Sequence, residues 1–250
     1  MIRVGRCTYD KQGKISYPTY DGYTPVVVMM MSHSKYYPLS PYLLQNEHGH
    51  LMENIWQYSK IYPSIAASKQ YYSRYNKTVI WDHPKEDHFT DGKPTEAYWA
   101  WRKKGFNNKY PVRYPVGFTH RHECIGSIPE YDHSIMLDYI QARKKIYIPV
   151  YCEMVKNAKY FAELQTRLSN GENLLIIEVD GPHQESLEYY QEMYHVDNDF
   201  IEDDSILITS ENLTVLVNDD KHAFGHGYCL AMALLDMDED TLVFWDQIDL

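Results

Sequence analysis

The sequence has little with which to cross-link itself, hold a metal at a standard spacing or enter a bilayer. Its four cysteines, Cys7, Cys124, Cys152 and Cys229, are widely spread and form no CxxC pair. That argues against a disulfide-stapled scaffold and suits a reduced, cytoplasmic setting with free thiols. No apolar run approaches the roughly 20 residues needed to span a bilayer. Val26 to Met31 is apolar but far too short, and the opening M-I-R-V-G-R-C-T-Y-D has no apolar h-region, so no secretory signal is expected. Positive charge is also scarce: 24 Lys and Arg face 35 Asp and Glu, a net charge of -11. Such a surface repels nucleic acid and anionic membranes, so neither duplex nucleic acid nor a membrane is expected as a partner. A nucleotide-sized ligand remains compatible, because a local pocket can reverse the sign. No GxSxG, P-loop, Cys-His nucleophile signature, zinc ribbon, internal repeat or clear linker is present.

What is present is tyrosine. The chain of 250 residues carries 24 of them within a 44% hydrophobic fraction. The composition is that of a globular protein with enough chain for a sizeable core. Tyrosine buries a ring and keeps a hydroxyl, which makes aromatic-lined polar pockets easy to build, although filler is its commoner use.

The local patterns predict helices and short strands in alternation, hence one α+β domain, mainly helical, over residues 1–250. Residues 1–25 read as an extended lead-in and Val26 to Met31 as a buried strand. A polar turn at Asn46 to Gly49 precedes a helix from about Met52, and Ile61 to Asn76 either prolongs it or starts another, with a break near Pro63. Val79 to Trp81 is a short strand, and Thr95 to Lys104 a helix. Val112 to Phe118 is an edge strand or structured loop. Helices are expected over Ser134 to Tyr147 and, past a boundary at Pro149, over Val150 to Leu168. Leu174 to Val179 is a buried strand, and Glu188 to Tyr194 a helix. Ile206 to Thr209, Leu213 to Val217 and Leu242 to Trp245 read as short strands. Tyr228 to Leu235 is an apolar helix.

In the helix from Met52, Glu53, Gln57 and Lys60 fall at i, i+4 and i+7 and share one face, with Trp56 beside them. A carboxylate, an amide and an ammonium held on one rigid element suit a preorganised polar site. The same spacing also describes a surface helix with scattered polar residues. His120-Arg121-His122-Glu123-Cys124 invites a metal reading, since strand alternation puts His120, His122 and Cys124 on one face. No second ligand pair stands at a standard spacing, so a polar loop, or an anion-binding lip with Arg113 and Arg121, is preferred; neither metal nor cofactor is expected. Asp180 ends an apolar strand before Gly-Pro, where a catalytic side chain or an Asx-turn both fit, and Glu178 faces the same side. Phe224-Gly225-His226-Gly227 allows either close approach of backbone amides to an anion or tight packing of the helix start. Glu96 to Arg102 combines rings with an arginine, which suits core packing with a snorkelling Arg102 or base stacking by Trp99.

The segment Glu53-Asn54-Ile55-Trp56-Gln57-Tyr58-Ser59-Lys60, preceded by Leu39-Ser40-Pro41-Tyr42 and a turn at Gly49, resembles the NADAR superfamily, whose pattern is E-x-x-x-Q-x-x-K after an aromatic-Ser segment. Leu175-Ile176-Ile177-Glu178 and Gly227 to Met232 are similar to later family segments. Asn54 stands where the family has histidine, F-G-H-G replaces N-x-L-G, and residues 82–133 and 183–222 would be insertions. The resemblance implies a NADAR-like fold and an N-glycoside hydrolase acting on a ribosylated base, nucleotide or ADP-ribosyl adduct. A non-catalytic nucleotide or ADP-ribose binder, or a ribosyl or glycosyl transferase, is the alternative. It implies catalytic roles for Glu53, Lys60 and Asp180, with Ser40, Tyr42, Trp56, Gln57, Trp81, Trp99, Arg113 and Asp220 around a small ribosyl or nucleotide-like substrate.

Overall fold

The computed structural model describes residues 1–29 and 34–237. The protein is α+β, and it divides into two compact units: Met1–Ser40 with Tyr151–Leu250, and Pro41–Val150. The expected strand Leu242 to Trp245 and the end of the expected strand Val26 to Met31 lie outside the described residues.

The first unit is built on a four-stranded sheet in the order Ser205–Leu207, Ile2–Arg6, Leu174–Glu178, Thr24–Val27. Leu174–Glu178 runs parallel to both neighbours, with Ile176 opposite Val4 and Val26. All five of its residues are buried, Glu178 with the four apolar ones, as suits a strand between two parallel neighbours. One of its faces, through Leu175 and Ile177, meets Cys7 and Met29. Ile176 and Glu178 point the other way, toward the helix His226–Leu234. Every residue of that helix is buried, which explains its all-round apolar sequence.

Ile2–Arg6 was expected to be lead-in, yet it is an interior strand. Two arginines and a glycine in five residues hide the pattern. Arg3 is buried because its guanidinium bonds Ser205 Oγ at 2.9 Å and the Ser205 carbonyl at 3.2 Å, pairs with Glu202 at 3.2 Å, and lies over the Tyr20 ring. The expected strand at Leu213 to Val217 is instead part of the helix Ser210–Asn218. Thr209 caps it by accepting from Asn212 N, and Leu213, Leu216 and Val217 are buried at helical spacing.

Pro149 is no boundary. A helix over Tyr139–Ala142 continues through a π-helical turn, Arg143–Tyr147, into Ile148–Lys156. In the wider turn Ile148 N bonds Arg143 O, and that slack accommodates a residue with no N–H of its own. The start moves from Ser134 to Tyr139, because Asp138 and Gln141 form a reciprocal capping box. The next helix is Phe161–Ser169, separated from the last by Tyr160 in the left-handed region.

In the second unit, the helices Met52–Ser59 and Glu96–Phe106 pack together. Residues 61–76 are not helical. Lys60–Ile61 pairs with Gly126–Ser127, Ser64–Ile65 with Glu86–Asp87, and Ser68–Tyr71 with Val79–His83. Pro63 ends the helical option, and long-range pairing then satisfies the backbone. The rings of Tyr58, Trp81, Trp101 and Tyr98 are buried together. Arg102 does not snorkel: it is buried, with its guanidinium 5.0 Å from the Phe106 ring and 5.6 Å from the Trp99 ring.

Gly105 makes the helix pairing possible. A Cβ there would stand 2.1 Å from Tyr58 Cδ1. Helix propensity alone would favour Gly105→Ala by about 1 kcal/mol. Overpacking against an immobile buried ring should reverse that sign and cost about 3 kcal/mol net. Chemical denaturation measures it, and a neutral or stabilised variant would remove this account of the packing.

Candidate functional site

The turn before the first helix of the second unit is held by Asn46. Its side chain accepts from His48 N and His50 N, and Gly49 adopts a positive φ of 77°. Leu51 then starts the helix in register with Gln45. The consequence is that Glu53 enters in the first helical turn with its carboxylate inside the protein, 6% exposed.

Glu53, Gln57 and Lys60 form a hydrogen-bonded series. Gln57 Nε2 donates to Glu53 Oε1 at 3.0 Å, and Lys60 Nζ donates to Gln57 Oε1 at 3.0 Å. The amide thus joins a carboxylate to an ammonium. Lys60 Nζ also lies 4.7 Å from the Trp56 ring centroid, and Trp56 packs against Tyr147 at 5.1 Å. Lys60 ends the helix and begins the short strand that pairs with Ser127, so its backbone is fixed from both sides. Burial pulls the Lys60 amine below its ordinary value and the Arg113 charge adds to this, while Cys124 and Glu53 oppose it. Such an amine spends more time neutral and nucleophilic than a surface lysine.

Comparison with protein-family models, with curated proteins and with solved structures finds no match to this chain.

The other expected site residues divide sharply. Asn54, where the resembled family has histidine, is fully buried: its amide donates to Asn108 O and Tyr110 O and accepts from Val112 N. It anchors the loop that carries Asn108 to Val112. Trp81 is corrected to a core residue. It is 2% exposed, packed on Tyr58 and stacked on His83, and its indole N–H is spent on Ser68 Oγ and Pro115 O. No base can reach that ring. Trp99 is half-buried against His133, and Tyr42 is half-buried beside the buried Pro41. Arg113 is exposed over Tyr114. His120 to Glu123 lies in a 3-10 turn, Phe118–Glu123, so the alternation that would align His120, His122 and Cys124 does not exist. His120 pairs with Glu123 at 2.8 Å, and Arg121 covers the Phe118 ring.

Ser40, Asp180 and Asp220 belong to the first unit. Ser40 is buried, and its N–H bonds Tyr37 O. Asp180 is half-buried, and its N–H donates to Glu178 Oε1 at 3.2 Å. The organising group at that strand end is Glu178. It is fully buried, 2.7 Å from His226 Nδ1, and also accepts from Gly227 N. The glycines of F-G-H-G therefore serve both expected purposes at once: the helix start packs tightly, and the anion at its amides is the protein's own Glu178. A Cβ at Gly225 would fall 2.2 Å from Glu178 Oε1.

Asp220 is exposed, while its neighbour Asp219 is buried. Asp219 accepts from Tyr190 OH, from Tyr189 OH at 3.0 Å and from Lys221 N at 2.9 Å, with His222 Nδ1 at 2.7 Å. Burial alone would raise its pKa, but the Tyr190 and His222 hydrogen bonds win and lower it. Only the i, i+3 spacing of Asp219 and His222 was visible in the sequence. The tyrosines come from a distant helix, Leu187–Tyr194.

Proposed function

We propose that this protein is an N-glycoside hydrolase acting on a ribosylated base, nucleotide or ADP-ribosyl adduct, with Glu53 and Lys60 as its catalytic pair. The observation that carries the reading is the hydrogen-bonded series Glu53–Gln57–Lys60, in which a carboxylate and a partly desolvated amine are joined by one amide. The resemblance of this helix to the NADAR motif supports it from the sequence side.

The chemistry follows from the groups. Rupture of an N-glycosidic bond passes through an oxocarbenium-like state, and a carboxylate held away from bulk water stabilises that cation strongly. Glu53 supplies this charge and orients the attacking water. Gln57 holds Glu53 from one side and Lys60 from the other, so neither has to reorganise as charge develops. Lys60, drawn toward neutrality, binds the ribose or attacks C1 of the opened sugar as an amine, displacing the base to form an imine that water then hydrolyses to the free sugar and the lysine amine. Trp56 offers the ring nearest to this chemistry.

The test is incubation of the protein with a panel of ribosylated bases, nucleotides and ADP-ribosyl adducts. Free base and free sugar are expected by mass spectrometry, with ¹⁸O from labelled water in the sugar. Binding without product would replace hydrolysis by recognition, and sugar found on another acceptor would make the protein a transferase.

A further inference from the structure

The second unit holds a cluster that plays no part in the Glu53 chemistry. His83 ends the strand Val79–His83, Glu86 lies on the short strand Glu86–Asp87, and His88 follows it. Their ligating atoms all lie within 4.8 Å of one another. His83 Nε2 is 2.8 Å from Glu86 Oε2, and His88 Nε2 is 3.6 Å from the same oxygen. Donors around one tetrahedral ion with bonds of about 2.0–2.1 Å stand roughly 3.3 Å apart, so these separations already bracket that value.

His88 points to a ligand independently. Its side chain is 0% exposed, and neither ring nitrogen has a hydrogen-bond partner. A fully buried imidazole whose Nδ1 has no partner and whose Nε2 has only the Glu86 oxygen, 3.6 Å away, is costly and rare. Its position is not accidental looseness. His88 N donates to Pro63 O at 2.9 Å, its carbonyl accepts from Thr95 N at 2.9 Å, and Trp101 packs on the ring at 5.0 Å. His83 is fixed as well, stacked on Trp81 at 9° between planes. Glu86 is 31% exposed and gives the cluster its opening to solvent.

We propose that His83, Glu86 and His88 bind one divalent transition-metal ion of the borderline class, for which two imidazoles and a carboxylate make a zinc-type donor set. His83 offers Nε2, the atom that already faces Glu86, to the ion. Lys104 Nζ stands 3.4 Å from the other ring nitrogen, Nδ1, and is held by the Asp82 carbonyl to which it donates. The carboxylate offsets one ion charge, and water completes the coordination. The sequence carries this as H-x-x-E-x-H, a spacing that only the break after His83 and the pairing of Glu86 with Ile65 convert into a common centre.

The site does not depend on the glycosidase reading and is tested without substrate. Chelator-treated protein is titrated with Zn²⁺ by calorimetry, and with Co²⁺ while visible absorption is followed. The expected result is one ion per chain, a cobalt spectrum with nitrogen and oxygen ligands, and a higher melting temperature with zinc. Glu86→Gln should weaken binding at least tenfold and abolish the zinc-dependent thermal shift, with the far-UV spectrum unchanged. His88→Gln should do the same. If its buried position prevents folding, the half-exposed Glu86 decides alone. His120→Asn, in the exposed His120–Glu123 pair, should leave binding intact. No binding, equal binding by Glu86→Gln, or loss of binding in His120→Asn would each overturn the proposal.

Discussion

Replacing Glu178 by alanine should lower the stability of the protein by about 3–5 kcal/mol, the cost of breaking a buried ion pair from one side. For a chain of this size that corresponds to a fall in melting temperature of roughly 6–20 °C. Glu178 is fully buried, His226 nearly so, and their contact is 2.7 Å. Without the carboxylate, the imidazolium and the N–H groups of Gly227 and Asp180 lose their acceptor together. The effect is pH-dependent, and its sign can be worked out. Burial opposes the charged form of each partner, but their mutual attraction is stronger. Glu178 is thereby lowered from 4.5 and His226 raised from 6.5. The carboxylate's contribution is complete above about its unfolded value and disappears as pH falls through the lowered folded one. The imidazole's is complete below its unfolded value and disappears as pH rises through the raised folded one. The difference in stability between the wild type and Glu178→Gln should therefore be greatest between 4.5 and 6.5 and shrink on both sides. Urea denaturation across pH 4–9 measures it. A loss under about 1 kcal/mol in Glu178→Ala would mean that the pair is not a structural anchor.

Glu53→Gln should reduce kcat for glycoside cleavage by roughly 10²–10⁴-fold with little change in KM. The substitution keeps the shape of the side chain and an oxygen that can accept from Gln57 Nε2, so the series from Glu53 to Lys60 survives. What disappears is the negative charge facing the developing cation. Lys60→Met should show a different signature. If the amine attacks the sugar, borohydride reduction during turnover adds the mass of the sugar to the wild type and to Glu53→Gln, but not to Lys60→Met. Full activity in Glu53→Gln would remove the carboxylate from the mechanism, and the absence of any adduct would confine Lys60 to binding.

Much of the local structure was legible in the chain. Leu174 to Val179 reads as a buried strand from its largely apolar run, and Tyr228 to Leu235 as an apolar helix. The i, i+4, i+7 spacing of Glu53, Gln57 and Lys60 specifies a shared face by itself. Local pattern misleads where a residue's meaning depends on a distant partner. Arg3 disguised an interior strand because Ser205 and Glu202 were needed to bury it. Residues 61–76 look helical because their partners at 79–83, 86–87 and 126–127 cannot be read from local spacing.

By itself, then, the sequence determined the α+β class, the polar face of the helix that begins at Met52, and the glycines flanking His226, because these follow from periodicity and from backbone allowance over a few residues. Tertiary structure alone decided which charges are buried, that Trp81 fills the core, that Asp219 and not Asp220 is held by tyrosines, and that His83, Glu86 and His88 converge. Burial and pairing are properties of what surrounds a side chain, and most of those surroundings come from far along the chain.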